Sequence, residues 1–495
     1  MADDQNLAQR SFKAASWVLV FQFATQFIQL FLGICLARLL CPEDYGILGM
    51  LAIFWSISQM FIDGGFGSAL IQKKEVTEED YCSVFYYNLL LSFLFCFAMI
   101  AAAPWFADFY HQPILRRTIV VSAWTLPIGA VVSIHQKILQ RSLRQGLNSF
   151  IGLVTLPISG GVALYLAWKG YGVWALVWQP VIAAICRSLL LIFFVRWTPK
   201  LIFSFSALKS LFGFGSKMLV SGLLDGIFSN LYSLVIGKCY DARLLGFYSR
   251  ANSYANLWPH SVQGAIAGVL FPAFAKMQDD LTRLKAAFRR SLCMSIFVVV
   301  FPSYLLCTLS RPFIELVLNP RWLPCIPYWW MITSMVIFWP IHVLNLQLLK
   351  ARGRSDLFLG LEIIKKLLAL VSIAILIFFG LMPMLSFGIF SSALCAYLNS
   401  FFTGKELGYG LFRQLSDAAI YVILAVISCV LAWGAYVLIY PHSPWLGLII
   451  PAAFGCLCYG GSNLLLKTDA STELIRLLIG RFPFLKKFLG RFAAQ

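Results

Sequence analysis

Long apolar runs separated by short polar connectors dominate the hydrophobic pattern of the chain. Most of the runs contain about 20 mainly apolar residues, which is the length that an α-helix needs to cross a bilayer. Helices on the surface of water-soluble proteins differ from these runs, because one face of each such helix is polar. The pattern predicts about fourteen transmembrane helices, near residues 15–40, 45–70, 83–106, 117–138, 148–168, 172–196, 212–237, 247–274, 288–310, 324–349, 358–380, 383–403, 416–440 and 445–466.

The composition supports a membrane protein. Of the 495 residues, 60% are hydrophobic and 12% are charged, whereas soluble domains are about 45–50% apolar and about 25% charged. A chain of this composition would expose large apolar patches if it folded in water. We therefore predict an all-α polytopic membrane protein and exclude a soluble enzyme, a nucleic-acid-binding domain and a disordered chain.

The basic residues predict the orientation in the membrane. The formal net charge is +18, and most of the 39 Lys and Arg residues lie in short connectors. If the N-terminus is cytoplasmic, 29 of them fall on the cytoplasmic side and nine on the other, while Arg187 lies within a span. Cytoplasmic loops of membrane proteins carry such an excess. We expect both termini in the cytoplasm, no cleaved signal peptide and no nucleic-acid partner.

The two halves of the chain resemble each other at an offset of 200 residues. A basic residue precedes a glycine by eight positions in both halves, at Arg38 and Gly46 and at Lys238 and Gly246. Six predicted spans lie between equivalent positions, so the two copies have the same orientation in the membrane. This arrangement predicts a parallel repeat about an axis along the membrane normal, with a shared cavity between two six-helix lobes.

The repeat divides the chain into three parts. We predict an N-lobe at residues 1–205 and a C-lobe at 206–410, each with six helices. Residues 411–495 add two further helices and a basic amphipathic segment at 471–492, where leucine and phenylalanine alternate with lysine and arginine. Such a segment is suited to lie on an anionic membrane surface, although a frayed tail is the alternative.

Polar side chains recur at helical spacing on the first two predicted spans of each lobe. Polar groups inside a membrane are costly unless they face protein or water, so they mark a pathway or a helix contact. Amides that only join helices are the competing explanation. We predict a substrate-binding central cavity lined by Gln22, Gln26, Gln29, Gln59, Asp63, Lys217, Asp225, Arg250, Asn252 and Asn256.

The ionisable members of this set suggest an anionic ligand. Asp63 and Asp225 lie deepest in the predicted spans, and the basic residues nearest to them are Lys217, Arg250 and Arg187. Cations of this kind offset the desolvation of a diphosphate, although lysine and arginine near a helix end can also snorkel to the interface. His342 could carry a proton, or could be a hydrogen-bonded structural histidine.

Motifs of catalysis and of cofactor binding are missing from the sequence. We find no zinc-protease, nucleophile-elbow or phosphate-loop pattern, and the 13 cysteines show no metal-ligand spacing. We therefore predict a protein that is not an enzyme and has no metal or cofactor. No ATP-binding motif occurs either, so uphill transport would draw on an ion gradient, the membrane potential or substrate flux.

Two stretches in the first half carry a family resemblance. They are LARLLCPEDYG at 36–46 and IDGGFGSALIQ at 62–72, and the second half has LGFYSRA at 245–251 and VLFPAF at 269–274. Together they resemble Wzx-type polysaccharide (O-antigen) flippases, which belong to the multidrug/oligosaccharidyl-lipid/polysaccharide (MOP) exporter superfamily. The likeness covers roughly residues 10–410.

The resemblance implies a fold and a function. Two six-helix lobes would rock between inward-open and outward-open states in the bacterial inner membrane. The substrate would be an undecaprenyl-diphosphate-linked oligosaccharide for lipopolysaccharide or capsule, with its lipid tail among the membrane lipids. A proton or sodium ion could drive transport, and polysaccharide polymerase and glycosyltransferase machinery would be possible partners.

Three alternatives compete with this reading. A multidrug or cation antiporter of the same fold would need a more acidic cavity. A lipid II flippase would carry a peptidoglycan precursor instead. A membrane glycosyl ligase or polymerase would need a large external loop with acid and base residues, and the external connectors predicted here are short.

Overall fold

The described part of the chain is helical. A computed structural model describes Phe21 and residues 24–63, 66–73, 75–142 and 144–481. These residues form α-helices with a few short 3-10 turns and one π-helical turn, and no strand occurs among them. Two compact units are present, at 1–249 and 250–495.

The first unit contains nine complete helices and the first part of a tenth. They are α1 (Ala24–Leu39), α2 (Pro42–Asp63), α3 (Phe66–Gln72), α4 (Glu78–Tyr110), α5 (Ile114–Ala123), α6 (Thr125–Arg141), α7 (Gln145–Trp168), α8 (Val173–Val195), α9 (Phe205–Cys239) and α10 (Ala242–Ala255). Side-chain caps define some of their starts. In α4, for example, the hydroxyl of Thr77 accepts a hydrogen bond from the backbone N–H of Asp80, whose carboxylate accepts one from the N–H of Thr77.

The second unit continues with ten α-helices. They are α11 (Leu257–Lys276), α12 (Leu281–Thr308), α13 (Ser310–Phe313), α14 (Ile326–Met335), α15 (Trp339–Ala351), α16 (Ser355–Leu376), α17 (Leu381–Leu407), α18 (Leu411–Ile439), α19 (Leu446–Leu465) and α20 (Asp469–Arg481). A π-turn (Ile314–Leu318) and 3-10 turns (Pro320–Cys325, Val336–Phe338, Ile377–Phe379) connect some of them. The predicted basic segment begins in α20, and its residues 482–492 lie outside the described residues.

The predicted spans coincide with this helix order, and the all-α membrane fold is confirmed. Within the described ranges, ten helical segments are long and apolar enough to cross a membrane. Several predicted spans are broken helices. The breaks precede Pro127 in α6, Pro259 in α11 and Pro340 in α15, each within the first turn of its helix. Proline is tolerated there because the first-turn N–H groups have no partner inside the helix.

Helix α9 packs along α2 inside the first unit. A Cβ atom placed on Gly226 of α9 would lie 2.7 Å from the Sδ atom of Met60 and 2.8 Å from the hydroxyl oxygen of Ser56, both in α2. A side chain on Gly226 would therefore require the side chains of Met60 and Ser56 to move. The sequence assigns α9 to the C-lobe, and the lobe boundary at residue 205 stays a prediction.

The start of α2 and the start of α10 meet through a reciprocal backbone contact. A Cβ atom on Gly46 would lie 1.7 Å from the carbonyl oxygen of Ala242, and one on Gly246 would lie 1.9 Å from that of Pro42. The two contacts are equivalent under the offset of 200 residues, because 42 pairs with 242 and 46 with 246. A local twofold relation between the repeats therefore exists at this point, and each copy requires glycine.

A buried amide pair joins α15 to α18 in the second unit. Asn345 donates a hydrogen bond to the side-chain oxygen of Gln414 at 2.9 Å, and Gln414 donates one back at 3.2 Å. Neither residue is exposed to solvent. Amides inside hydrocarbon are tolerated because such exchanges satisfy both partners.

Candidate functional site

A cavity of about 640 Å³ lies among α1, α2, α6, α7 and α8 of the first unit. This volume falls within the range of small-molecule sites. The cavity is lined by Thr25, Gln29, Trp55, Gln59, Thr125, Gly129, Val132, Asn148, Ser149, Gly152, Thr155, Leu156, Pro180, Ala183, Ala184 and Arg187. Amides, hydroxyls and one guanidinium are thus collected between helices whose sequences are mostly apolar.

Small residues leave the space for the cavity. On α7, nothing comes within 4 Å of a Cβ atom placed on Gly152, so this face of the helix is open. On α6, a Cβ on Gly129 would lie 3.4 Å from the amide nitrogen of Gln59. On α8, the small side chains of Ala183 and Ala184 line the cavity without filling it. Larger side chains at these positions would fill the volume.

Arg187 is the cationic group of the cavity. Its Nη2 donates to the side-chain oxygen of Asn148 at 3.2 Å. When the amide of Gln136 is oriented with its oxygen towards the guanidinium, that oxygen accepts from Nε at 3.0 Å and from Nη2 at 2.8 Å. Two neutral amides on α6 and α7 therefore fix the guanidinium. No carboxylate within the described ranges forms a salt bridge with it.

The structure places two of the predicted site residues in this cavity. Gln29 of α1 and Gln59 of α2 both line it, and both side chains are exposed. Gln26 is half-buried on α1 and is not part of the lining. Gln22 lies outside the described residues, as do the side chains of Asp63 and Lys217.

The other predicted residues are not among those that line this cavity. Asp225 is exposed on α9. In the second unit, the guanidinium carbon of Arg250 lies 5.9 Å from the ring centre of Trp322, within the range of a cation–π contact. Asn256 donates hydrogen bonds to the side-chain oxygen of Asn252 at 2.8 Å and to its backbone oxygen at 3.0 Å. The shared face that the spacing predicts for these two asparagines is therefore real, but their amides bind each other.

The predicted set did not include several polar residues of the cavity, notably Asn148, Thr155 and Arg187. On α7, Asn148, Gly152 and Thr155 are spaced by four and three residues, the pattern of one helix face. Arg187 is the charged residue of α8. A search for polar or small residues at helical spacing beside a charge within a span would have found this side of the cavity.

Comparisons with known proteins identify the family. Residues 35–327, well over half of the chain, match the family described as "Polysaccharide biosynthesis protein". The chain is 24% identical to the lipopolysaccharide biosynthesis protein WzxC of Escherichia coli (strain K12) over 379 residues, 75% of this chain and 76% of WzxC. It is 26% identical to the teichuronic acid biosynthesis protein TuaB of Bacillus subtilis (strain 168) over 306 residues, 61% of this chain and 62% of TuaB.

Solved structures show the same fold. The lipid II flippase MurJ, in an inward closed conformation, is similar with a TM-score of 0.70 at 13% identity, over 91% of this chain and 99% of MurJ. An inward-facing multidrug resistance MATE family transporter of the MOP superfamily is similar with a TM-score of 0.59 at 13% identity, over 79% of this chain and 98% of that one. The chain shares the fold of these two solved structures, and it belongs to the polysaccharide biosynthesis protein family.

Proposed function

We propose that this protein is a flippase. It moves an undecaprenyl-diphosphate-linked oligosaccharide across the bacterial inner membrane for the synthesis of a surface polysaccharide such as lipopolysaccharide or capsule. The observation that carries the proposal is a cavity between apolar helices that is lined in part by amides, hydroxyls and one guanidinium, in a member of the polysaccharide biosynthesis protein family.

The physical argument concerns the headgroup. Sugar hydroxyls lose their hydrogen bonds to water when they enter hydrocarbon, at a cost of several kcal/mol for each unsatisfied group. The amides of Gln29, Gln59 and Asn148 and the hydroxyls of Thr25 and Thr125 can replace those bonds inside the bilayer. The lipid tail would stay in the membrane while the sugars cross through the protein.

The proposed pathway uses both repeats. Besides the cavity of the first unit, we propose that Asp63, Lys217, Asp225 and Arg250 contact the substrate as the two lobes alternate between inward-open and outward-open states. Gln22, Gln26, Asn252 and Asn256 complete the proposed set. The concentration of polar residues on equivalent helices of the two repeats supports this assignment.

Orientation and driving force are part of the proposal. The excess of basic residues in one set of connectors supports cytoplasmic termini. A proton or sodium ion would couple to transport. His342 of α15 supports the structural alternative rather than a proton carrier, because its ring nitrogens lie 3.1 Å from the hydroxyl of Ser392 and 3.0 Å from the amide of Asn399. The protein would hand its substrate to a polymerase and would itself make or break no glycosidic bond.

Gene deletion with complementation tests this function. Deletion should abolish the surface polysaccharide and cause the lipid-linked oligosaccharide to accumulate on the cytoplasmic side. Wild-type protein should restore export, whereas Gln59→Leu should restore it poorly at the same membrane abundance. Unchanged polysaccharide in the deletion strain would contradict the proposal. Rescue of a peptidoglycan-precursor transport mutant, or protection against lipophilic cations, would favour the alternatives instead.

A further inference from the structure

We propose that Lys285 and Arg413 form a binding site for the phosphate headgroup of an anionic phospholipid. This cation pair lies in the second unit, where α12 and α18 begin and α17 ends. These helix ends belong to the side of the membrane that we propose to be cytoplasmic. Neither residue lines the cavity of the first unit, and the inference does not depend on the proposed flippase function.

The turn between α17 and α18 brings the two cations together. Gly408 ends α17 with a backbone φ of 60°, which is in the left-handed region that favours glycine. Nη1 of Arg413 donates a hydrogen bond back to the carbonyl oxygen of Gly408 at 2.5 Å. This Nη1 and the Nζ of Lys285 each lie 3.8 Å from a Cβ position built on Gly408. The two cationic groups are therefore no further apart than twice that distance.

Buried contacts hold α12 against this turn. Tyr409 is 3% exposed, and its ring packs edge-on against that of Phe288 in α12, with ring centres 5.9 Å apart. The hydroxyl of Tyr409 donates to Oδ2 of Asp417 at 2.5 Å. Nε of Arg289 donates to the same carboxylate oxygen at 2.8 Å. The backbone on both sides of the cation pair is thus fixed before any ligand binds, which lowers the entropy lost on binding.

The cation pair has no acidic partner in the part of the chain that the structure describes. The carboxylates of Asp417, Asp469 and Glu406 form their salt bridges with other arginines. Neither Lys285 nor Arg413 takes part in a salt bridge within the described ranges. Two like charges held close together repel each other, so an anion between them lowers the electrostatic energy. A phosphate group offers oxygens that can accept from an ammonium and a guanidinium at once.

The surroundings of the cation pair favour a phospholipid over a free phosphate ion. Phe412, next to Arg413, is 81% exposed, and Leu281 in the first turn of α12 is 45% exposed. Further along α18, Ile420 and Ile423 are also exposed and share a helix face with Phe412. A phospholipid presents an anionic phosphate and apolar chains together, which matches two cations beside an apolar helix face. Basic pockets between membrane helices on the cytoplasmic side bind anionic headgroups in this way.

Lipid binding to the purified full-length protein in a neutral detergent tests this inference. The lipid probes are phosphatidylglycerol and phosphatidylcholine with identical acyl chains, and bound molecules are counted by native mass spectrometry. Wild-type protein should bind phosphatidylglycerol at least tenfold more tightly than phosphatidylcholine. Lys285→Gln combined with Arg413→Gln should weaken phosphatidylglycerol binding at least tenfold, because each basic residue near an anionic lipid contributes a factor of about five. Binding to the wild type should also weaken as ionic strength rises.

A matched control removes the same charge elsewhere. Arg116→Gln combined with Arg117→Gln neutralises two exposed side chains of α5 and should bind phosphatidylglycerol like the wild type. Because Arg413 also supports the turn at Gly408, Lys285→Gln alone serves as a second variant and should weaken binding at least threefold. A thermal melt of each variant confirms that it is folded.

Three results would overturn the inference. The first is equal binding of the two lipids by wild-type protein, and the second is an equal loss in the α5 control, which would indicate unspecific attraction. The third is displacement of phosphatidylglycerol by inorganic phosphate at equal concentration, which would identify a site for a free anion. None of these results bears on the flippase proposal, which is tested by export.

Discussion

Replacing Gly46 with alanine should separate α2 from α10. The added methyl group would lie 1.7 Å from the carbonyl oxygen of Ala242, whereas ordinary contacts begin at 3.4 Å. The obstacle is backbone, which cannot rotate away as a side chain can. The two helix starts would have to move apart by about 1.7 Å, and overpacking of this kind typically costs about 1–3 kcal/mol.

The expected loss can be bounded further. Alanine is favoured over glycine inside a helix by about 1 kcal/mol, which opposes the steric cost. Because the contact is between two backbones, we place that cost near the upper end of its range and expect a net loss of about 2 kcal/mol. Gly246→Ala should lose a similar amount, since its methyl would lie 1.9 Å from the carbonyl oxygen of Pro42.

The double variant gives the sharpest test of the reciprocal contact. Once one methyl group has moved the helices apart, the second should cost less, so the combined loss should fall short of the sum by at least about 1 kcal/mol. The free energy of unfolding can be measured by detergent titration with tryptophan fluorescence. Gly161→Ala is the control, because nothing lies within 4 Å of its Cβ position. Additive losses, or no loss in either single variant, would refute the reasoning.

Three further predictions concern other parts of the structure. Gln414→Leu should lower the free energy of unfolding by about 2 kcal/mol, because it removes the buried partner of Asn345; an unchanged unfolding curve would argue against that pair. Partial burial tends to raise the pKa of the Glu315 carboxyl, but hydrogen bonds from Tyr440 and a nearby arginine outweigh it and hold the pKa below the usual value. Tyr440→Phe should therefore cost about 1 kcal/mol at neutral pH, and the difference from wild type should shrink as the pH falls below about 4, where the carboxylate is protonated; a difference independent of pH would contradict this. Arg250→Ala should reduce surface polysaccharide at unchanged membrane abundance, measured by export assay and immunoblot, and full export would exclude Arg250 from the pathway.

The helices could be predicted from the sequence because a membrane imposes a simple length rule. Among the described residues, most predicted spans coincide with a helix or with two helices divided near a proline, as at Pro127 and Pro340. The offset that pairs Gly46 with Gly246 also corresponds to a real contact. Apolar length, proline position and internal repetition are local properties of the chain, and all three can be recognised without knowledge of packing.

The lining of the cavity was harder to predict because it depends on how helices rotate and cross. Gln29 and Gln59 could be recognised from their spacing, but the contact of Arg187 with Asn148 joins residues 39 positions apart. Hydropathy does not encode which faces of α7 and α8 meet. Periodicity also does not distinguish a ligand site from a local pair, as Asn252 and Asn256 illustrate.

Translocation in reconstituted vesicles tests the central claim most directly. An undecaprenyl-diphosphate-linked oligosaccharide is placed in the inner leaflet, and an external glycosidase reports its arrival outside. We predict that vesicles containing the protein will expose the oligosaccharide at least tenfold faster than protein-free vesicles, and that Gln59→Leu will slow this exposure. Equal rates with and without the protein, at every ion gradient and membrane potential applied, would contradict the account.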